Sequence, residues 1–233
     1  MGTEVGRAAG AELLWASEGR SEATASRAAS AGFRDVGTLR ALAGQSEIVL
    51  CLCPPAIAAE VARGVAEAGF TGLYIEANAI APARAERIAS TLSGRGARVV
   101  DGSVIASSGL NLYLSGENDD VEEAARLFTG TEVTAVPLPG GVGAASALKM
   151  AFGGWNKIGI ALTAQAHAIA GAYGVTDWLE AEGVPADRLQ WVADRAWRWA
   201  PEMEEIADLC GELGLSDGIP RGAAEFYRDL SRG

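Results

Sequence analysis

The sequence predicts a mostly parallel α/β domain over residues 1–136, followed by an all-α domain over residues 137–233. Three observations carry this. Short apolar runs of strand character alternate with helical stretches of about a dozen residues through the first half, which is the pattern of βαβ units. Those runs are almost continuously apolar, as in Ile48-Val49-Leu50-Cys51-Leu52, the mark of strands covered on both faces. Beyond the turn-rich break Pro137-Leu138-Pro139-Gly140-Gly141 the alternation stops and helical periodicity takes over.

Taken in order, residues 12–16 read as a strand, 21–31 as a helix, and 47–53 as an apolar strand stopped by Pro54-Pro55. A helix fits 56–68, a strand 72–76, a helix 82–92 and a strand 98–101. Residues 110–115 read as a further strand, and 121–128 as a helix behind an acidic cap, Asn118-Asp119-Asp120. A single long helix is expected from Gly143 to about Tyr173, because Leu148, Phe152, Trp155, Leu162, Ile169 and Tyr173 recur at helical spacing. Further helices are expected around 187–199, 202–213 and 221–230.

Bulk properties narrow the function. At 233 residues, 49% hydrophobic and 21% charged, the chain is long and apolar enough to bury a core and is not disordered. A formal net charge of −11 argues against nucleic acid, whose phosphates are bound by clustered Lys and Arg. It does not exclude a phosphorylated small molecule, for which one Arg or a helix N-terminus suffices. Cys51, Cys53 and Cys210 make no C-x-x-C pair and read as small core hydrophobes of a reducing compartment. With a single histidine, His167, a zinc site is not expected. No basic stretch leads into an apolar one at the N-terminus, so the cytoplasm is the expected compartment. The most apolar helix, 158–173, is short and carries Thr163, Gln165 and His167, so no membrane partner is expected either.

A dinucleotide fold opens with a strand, a G-x-G-x-x-G turn and a helix whose N-terminus faces the pyrophosphate. This chain opens with Met1-Gly2-Thr3-Glu4-Val5-Gly6 and no strand before it. After the strand containing Leu13-Leu14-Trp15 comes Glu18-Gly19-Arg20-Ser21. An acidic residue there would bind the ribose of NAD, whereas an Arg and a hydroxyl suit the additional phosphate of NADP. The alternative reading is a solvated turn with Ser21 as a helix cap.

Four segments in order resemble the 6-phosphogluconate / β-hydroxyacid dehydrogenase superfamily. Met1-Gly2 is similar to the end of its G-x-x-x-M-G turn, and Gly19-Arg20-Ser21 to its N-R-T-like element. Cys53-Pro54-Pro55 resembles the L-P element beside the cofactor, and Glu76 to Pro82 the D-x-[SN]-[TA]-x-x-P element near the nicotinamide. The resemblance spans essentially the whole chain and is nearest the phosphogluconate dehydrogenase-like subgroup with its own helical C-terminal domain. It implies a Rossmann-like domain that lacks its first strand here, so that the chain as written would bind cofactor weakly or fold poorly. It implies NADP as cofactor, with NAD as the alternative, held by Gly2, Arg20, Ser21, Cys53, Pro54, Asn78 and Ala79. It further implies a homodimer through the helical domain.

Gly140 to Lys149 resembles the family's G-x-G-x-x-x-K segment, which puts the catalytic acid/base on Lys149. Oxidising a carbinol carbon requires its hydroxyl proton to leave, and a positioned amine can take it. Burial and a nearby nicotinamide cation would each lower that amine's pKa. The family's polar pair three and four places on is replaced by Phe152 and Gly153, while Asn156, seven places on, shares the helix face with Lys149. The D-x-P-V-S-G substrate loop becomes Asp101-Gly102-Ser103-Val104-Ile105-Ala106, with Ile in place of the substrate-binding Ser. Ser103, Ser107 and Asn156 are therefore the substrate candidates, and no Arg cluster for a substrate phosphate is evident. His167, Trp191, Trp197 and Trp199 read as structural residues. The expected function is hydride transfer to or from a small hydroxy acid or related carbonyl. The alternatives are a non-catalytic nucleotide-binding protein and an imine reductase, the latter opposed by Lys149, which such members often replace.

Overall fold

The computed structural model describes residues 2–187, 189 and 192–231; Met1 and Trp191 lie outside the described residues. The chain divides into two compact units, Met1–Lys149 and Met150–Gly233.

The first unit contains α1 (Gly2–Ala8), β1 (Leu14–Trp15), α2 (Glu22–Ser30), β2 (Arg34–Asp35), α3 (Leu39–Gln45), β3 (Ile48–Cys51) and α4 (Ala58–Glu67). It continues with β4 (Leu73–Glu76), α5 (Pro82–Ser93), β5 (Arg98–Ile105), β6 (Leu110–Ser115), α6 (Asn118–Arg126) and β7 (Val133–Pro137), and ends within the start of α7 (Ala144–Ala172). Local chemistry sets the starts and stops. Ser21 caps α2 by accepting the Thr24 N–H, Thr38 does the same for Ala41 at α3, and Pro82 opens α5 at a position whose N–H needs no partner.

Five strands run β3-β4-β5-β6-β7, parallel except for the antiparallel β5–β6 pair. Period-2 alternation sends Val49, Cys51 and Tyr74 into a core with α4 and α5, while Leu73, Ile75, Val100 and Leu112 join Val5 of α1 and Val121 of α6 on the opposite face. Leu73, Tyr74 and Ile75 are each 0% exposed. A buried aliphatic side chain contributes roughly 1.5–3 kcal/mol, so both faces of the sheet stabilise the unit. β1 and β2 form a separate parallel pair. A groove of about 510 Å³, lined by Leu13 and Leu14 on one side and Ile48 to Leu50 on the other, runs between the two sheets.

Several elements differ from expectation. β2 and α3 were not expected: a two-residue strand has no periodicity, and α3 is seven residues interrupted by Gly44. β7 was not expected either: residues 133–136 match no expected element and only Pro137 falls in the turn-rich break; as the edge strand β7 pairs with β6, where a proline is tolerated. The acidic residues Asp119 and Asp120 lie inside the first turn of α6, behind Glu117, and so favour the positive end of the helix as charges, with no side-chain cap bond.

The second unit comprises the rest of α7 with α8 (Thr176–Ala181), α9 (Val192–Glu212) and α10 (Gly218–Leu230). The two helices expected over 187–199 and 202–213 are the single helix α9 with Pro201 inside it. Tertiary packing overrides the proline, because Trp199, Ala200, Met203 and Ile206 are buried around it. Trp199 packs edge-on against Tyr227 of α10, with ring centroids 5.2 Å apart. The Tyr227 hydroxyl donates to the Lys157 carbonyl at 2.7 Å, and Lys157 Nζ pairs with Glu202 at 2.5 Å, joining α7 to both later helices. A Cβ on Gly153 would stand 2.8 Å from Glu202 Oε1, so this glycine admits the acidic side chain against α7. Trp197, by contrast, is 68% exposed. No helix among the described residues is long and apolar enough to cross a membrane.

Candidate active site

Strands β3 and β4 each end on a polar residue, Cys51 and Glu76, and β5 carries Asp101 midway along its length. Cys51, Glu76 and Asp101 stand in register, and Asp101 pairs onward with Ser115 of β6. All four are buried. Open parallel sheets bind ligands beyond the carboxyl ends of their strands, and the polar row organises the loops that leave the sheet there.

Asp101 anchors the start of α7. Its Oδ2 accepts the Gly143 N–H at 2.9 Å and the Ser146 N–H at 2.8 Å, and its Oδ1 accepts the Ser146 hydroxyl at 2.7 Å. Ser115 Oγ accepts the Ala145 N–H at 3.0 Å. A carboxylate against the first N–H groups of a helix satisfies donors that have no intrahelical partner. Gly143 takes φ +105°, and a Cβ there would lie 3.1 Å from Glu86 Oε1, so glycine suits both the turn and the close approach of α5. Burial raises the Asp101 pKa, while the bonds from Ser146 and Gly143 oppose that rise.

One turn beyond Ser146 is Lys149, half-buried, with Nζ donating to the Val104 carbonyl at 2.6 Å. Val104 is the penultimate residue of β5. The pairs Asp101–Ser146 and Val104–Lys149 therefore seat the head of α7 along β5 from its middle to its carboxyl end, where the amine rests on Val104.

Asn78, just past β4, joins β4 to β3. Its Oδ1 accepts the Cys53 N–H at 2.7 Å, and its amide Nδ2 donates to Cys51 Sγ at 3.3 Å and also to Glu76 Oε1. The Asn78 backbone N–H donates to the same Glu76 oxygen at 3.1 Å. The Asn78 side chain is thus buried and engaged at both ends, shaping the loop from which half-buried Ala79 follows. Burial, with the neighbouring Cys51 thiol adding to it, pushes the Glu76 carboxyl up to about 8. Its Oε2 has no partner among the described residues.

The other expected site residues are spread along this edge and beyond it. Gly2, at the start of α1, lies 3.7 Å from Leu52 when its Cβ position is considered, so α1 begins beside the carboxyl end of β3. Arg20 and Ser21 are exposed in the turn after β1, where Gly19 takes φ +70° with open space around it. Arg20 lines a groove of about 540 Å³ with Leu39, Arg63 and the carboxylates of Glu18, Glu60 and Glu67. Pro54 is exposed beside half-buried Cys53. Ser103 is 1% exposed with its hydroxyl unpartnered among the described residues, whereas Ser107 is exposed in the β5–β6 turn. Asn156 belongs to the helical unit and is half-buried. His167 has Nε2 2.8 Å from the Val184 carbonyl, a structural contact within that unit.

Glu76, Asp101 and Arg63 were not singled out as site residues by sequence. A single carboxyl at the end of an otherwise apolar strand is the signal that marks Glu76, whereas Asp101 lies midway along β5. Arg63, on α4, joins the Arg20 groove only through the fold.

Comparison with known proteins agrees with this architecture. Residues 170–230 match the domain of unknown function DUF1932. The 3-hydroxyisobutyrate dehydrogenase of Salmonella typhimurium superposes with a TM-score of 0.78 at 19% identity, covering 99% of this chain and 90% of that one. The conserved protein MTH1747, whose structure is described as similar to 3-hydroxyacid dehydrogenases, gives 0.73 at 21% identity, covering 99% and 92%. An imine reductase variant from Myxococcus stipitatus, in complex with NAD+, gives 0.58 at 21% identity, covering 100% and 90%. A sequence search of curated proteins finds no match. At these identities the likeness shows the fold: a parallel-sheet α/β domain with a helical C-terminal part.

Proposed function

Because the chain fits the β-hydroxyacid dehydrogenase superfamily in fold and domain content, we propose that it is an oxidoreductase that prefers NADP and moves a hydride to or from a small hydroxy acid or related carbonyl. The observation that carries this reading is the placement of Lys149, whose amine is held at the carboxyl end of β5 by the Val104 carbonyl. The residues fit a dinucleotide. An open glycine turn carries Arg20 and Ser21, and the groove beside it sets Arg20 and Arg63 among Glu18, Glu60 and Glu67, so an anionic group there would be held by Arg20 and the Ser21 hydroxyl at the turn itself. The start of α1 lies at the end of β3. Cys53 to Pro54 and Asn78 to Ala79 form adjoining loops, bound to each other, beside the expected nicotinamide position.

A bound nicotinamide supplies or accepts the hydride. Lys149 takes the hydroxyl proton of an alcohol at Nζ during oxidation and returns it to the carbonyl oxygen during reduction. The Val104 carbonyl holds the amine in place, and Asp101 fixes the helix that carries it. Ser107 and Asn156 are substrate candidates. Ser103, buried within β5, would act only through the shape of the strand end. A small hydroxy acid suits this site better than 6-phosphogluconate, since no Arg cluster for a substrate phosphate is evident in the sequence. A screen of hydroxy acids, their keto counterparts and cyclic imines with NADPH and NADH tests the reading, with Lys149→Ala as control. A general acid/base contributes about 10²–10⁴-fold in rate, so the variant should lose at least about 100-fold while still binding NADPH. Wild-type turnover retained in Lys149→Ala, or turnover of imines alone, would replace the proposal with the imine reductase reading.

The proposed assembly is a homodimer through the helical unit. Trp155, Leu162, Ile169 and Tyr173 lie on α7 and are 61–80% exposed, and the first three, seven residues apart, share one face. An apolar stripe of that kind marks an interaction surface. Light scattering of the wild type against Leu162→Glu, with a shift to monomer expected, tests it.

A further inference from the structure

Cys51 and Cys53, read in the sequence as small core residues, occupy different environments. Cys51 closes β3 and is 4% exposed; Cys53 is half-buried at the surface just beyond. Their sulfurs are nevertheless only 3.7 Å apart, because the chain bends after Cys51 and turns both side chains to one side. We propose that Cys51 and Cys53 form a peroxide-sensitive dithiol that closes to a disulfide at the carboxyl end of β3.

Geometry distributes the roles. Cys53 is the reachable sulfur. The hydrogen bond from the Cys51 thiol holds its thiol below the ordinary range, opposed by desolvation and then by Glu76, with the charge of Arg20 acting in the same direction as that bond. Cys51 is shielded and pushed well up by that same bond and by burial, so it keeps its proton. The Cys53 thiolate attacks one oxygen of hydrogen peroxide: an S–O bond forms, the O–O bond breaks, and the departing hydroxide takes a proton to become water. Cys53 is thereby oxidised by two electrons to a sulfenic acid as the peroxide is reduced. The Cys51 sulfur then displaces the hydroxyl from Cys53, forming the S–S bond, and the hydroxyl leaves as a second water with the Cys51 proton. The sulfurs must close from 3.7 Å to about 2.05 Å, a movement that the turn at Cys53 and Pro54 can supply. Both cysteines are tied to Asn78, Cys53 through its N–H and Cys51 through its sulfur, so closure acts directly on the loop after β4.

The test uses the full chain and limiting hydrogen peroxide, followed by intact mass, peptide mapping and trapping of sulfenic acid with dimedone. The proposal expects a loss of two hydrogen masses, mapped to a Cys51–Cys53 bridge, reversed by dithiothreitol and formed at least about tenfold faster than any oxidation of Cys210. In Cys51→Ser, oxidation should stop at a dimedone-reactive Cys53. In Cys53→Ser, a change at the half-buried position, Cys51 should stay reduced. A wild type that accumulates dimedone-reactive or over-oxidised Cys53 without bridging overturns the proposal, as does oxidation of Cys51 at an unchanged rate in Cys53→Ser.

Discussion

Replacing Glu76 by Gln probes the polar row at the sheet edge most directly, because the carboxyl is 1% exposed and its pKa is raised from 4.5 to about 8 by burial first and the Cys51 thiol second. A group whose folded pKa lies above its unfolded value favours the folded state fully below the lower pKa and loses that advantage as pH rises through the higher one. For Glu76 the window therefore runs from 4.5 to about 8. At about 1.4 kcal/mol per tenfold, the gap corresponds to roughly 5 kcal/mol over the whole window, of which roughly 3–4 falls between pH 5 and 8. Glutamine keeps an acceptor for the Asn78 N–H groups and does not ionise. The Glu76→Gln protein should thus lose markedly less stability than the wild type between pH 5 and 8, and should be the more stable of the two at pH 8. Urea unfolding followed by circular dichroism at pH 5, 6, 7 and 8 measures this, comparing slopes so that the other titrating groups cancel. Parallel stability–pH curves for the two proteins would refute the assignment of a neutral, buried Glu76.

Three further outcomes are expected. Asp101→Ala leaves the Gly143 and Ser146 N–H groups and the Ser146 hydroxyl without their carboxylate acceptor, and should lower the stability of the first unit by about 2–4 kcal/mol in urea titration; a change under about 0.5 kcal/mol would remove Asp101 as the anchor of α7. Arg20→Ala should weaken NADPH at least about tenfold by calorimetry while leaving NADH within about twofold, since only the former offers the additional phosphate; equal losses for both cofactors would end the claim of NADP preference. Glu202→Gln leaves the Lys157 ammonium, whose side chain is 12% exposed, without its carboxylate; a loss of about 2 kcal/mol is expected in the unfolding of the helical unit, and none would mean that Gly153 admits Glu202 to no energetic purpose.

Much of this molecule could be read before its coordinates. Near-continuous apolar runs predict cover on both faces; the structure buries Leu73 to Ile75 that way, whereas in Ile48 to Leu52 only Val49 and Cys51 are fully buried and Ile48, Leu50 and Leu52 are half-buried on the groove side. The long helix was legible from its spacing, and Ser21, Pro54 and Pro82 announced their boundaries, because capping and the missing proline N–H act within a few residues. Elements of two to seven residues escaped, as β2 and α3 did, since too few side chains repeat to reveal a period. Pro201 misled for the opposite reason: a local rule predicted a break that the burial of Trp199 and Met203 overrides.

By itself, the sequence determined the class of each long element and the change from alternating strands and helices to helices alone, which follow from periodicity and local bonding, although the compact units divide at Lys149 rather than at residue 136. Only the tertiary structure decided that Cys51, Glu76, Asp101 and Ser115 form one buried row, that Asn78 ties Cys53 to Glu76, and that Lys149 rests on the carbonyl of Val104. Apart from the local Asn78–Glu76 bond, those contacts join residues 14 to 45 positions apart, and their register is fixed by strand pairing and by the burial of the sheet, which no local pattern encodes.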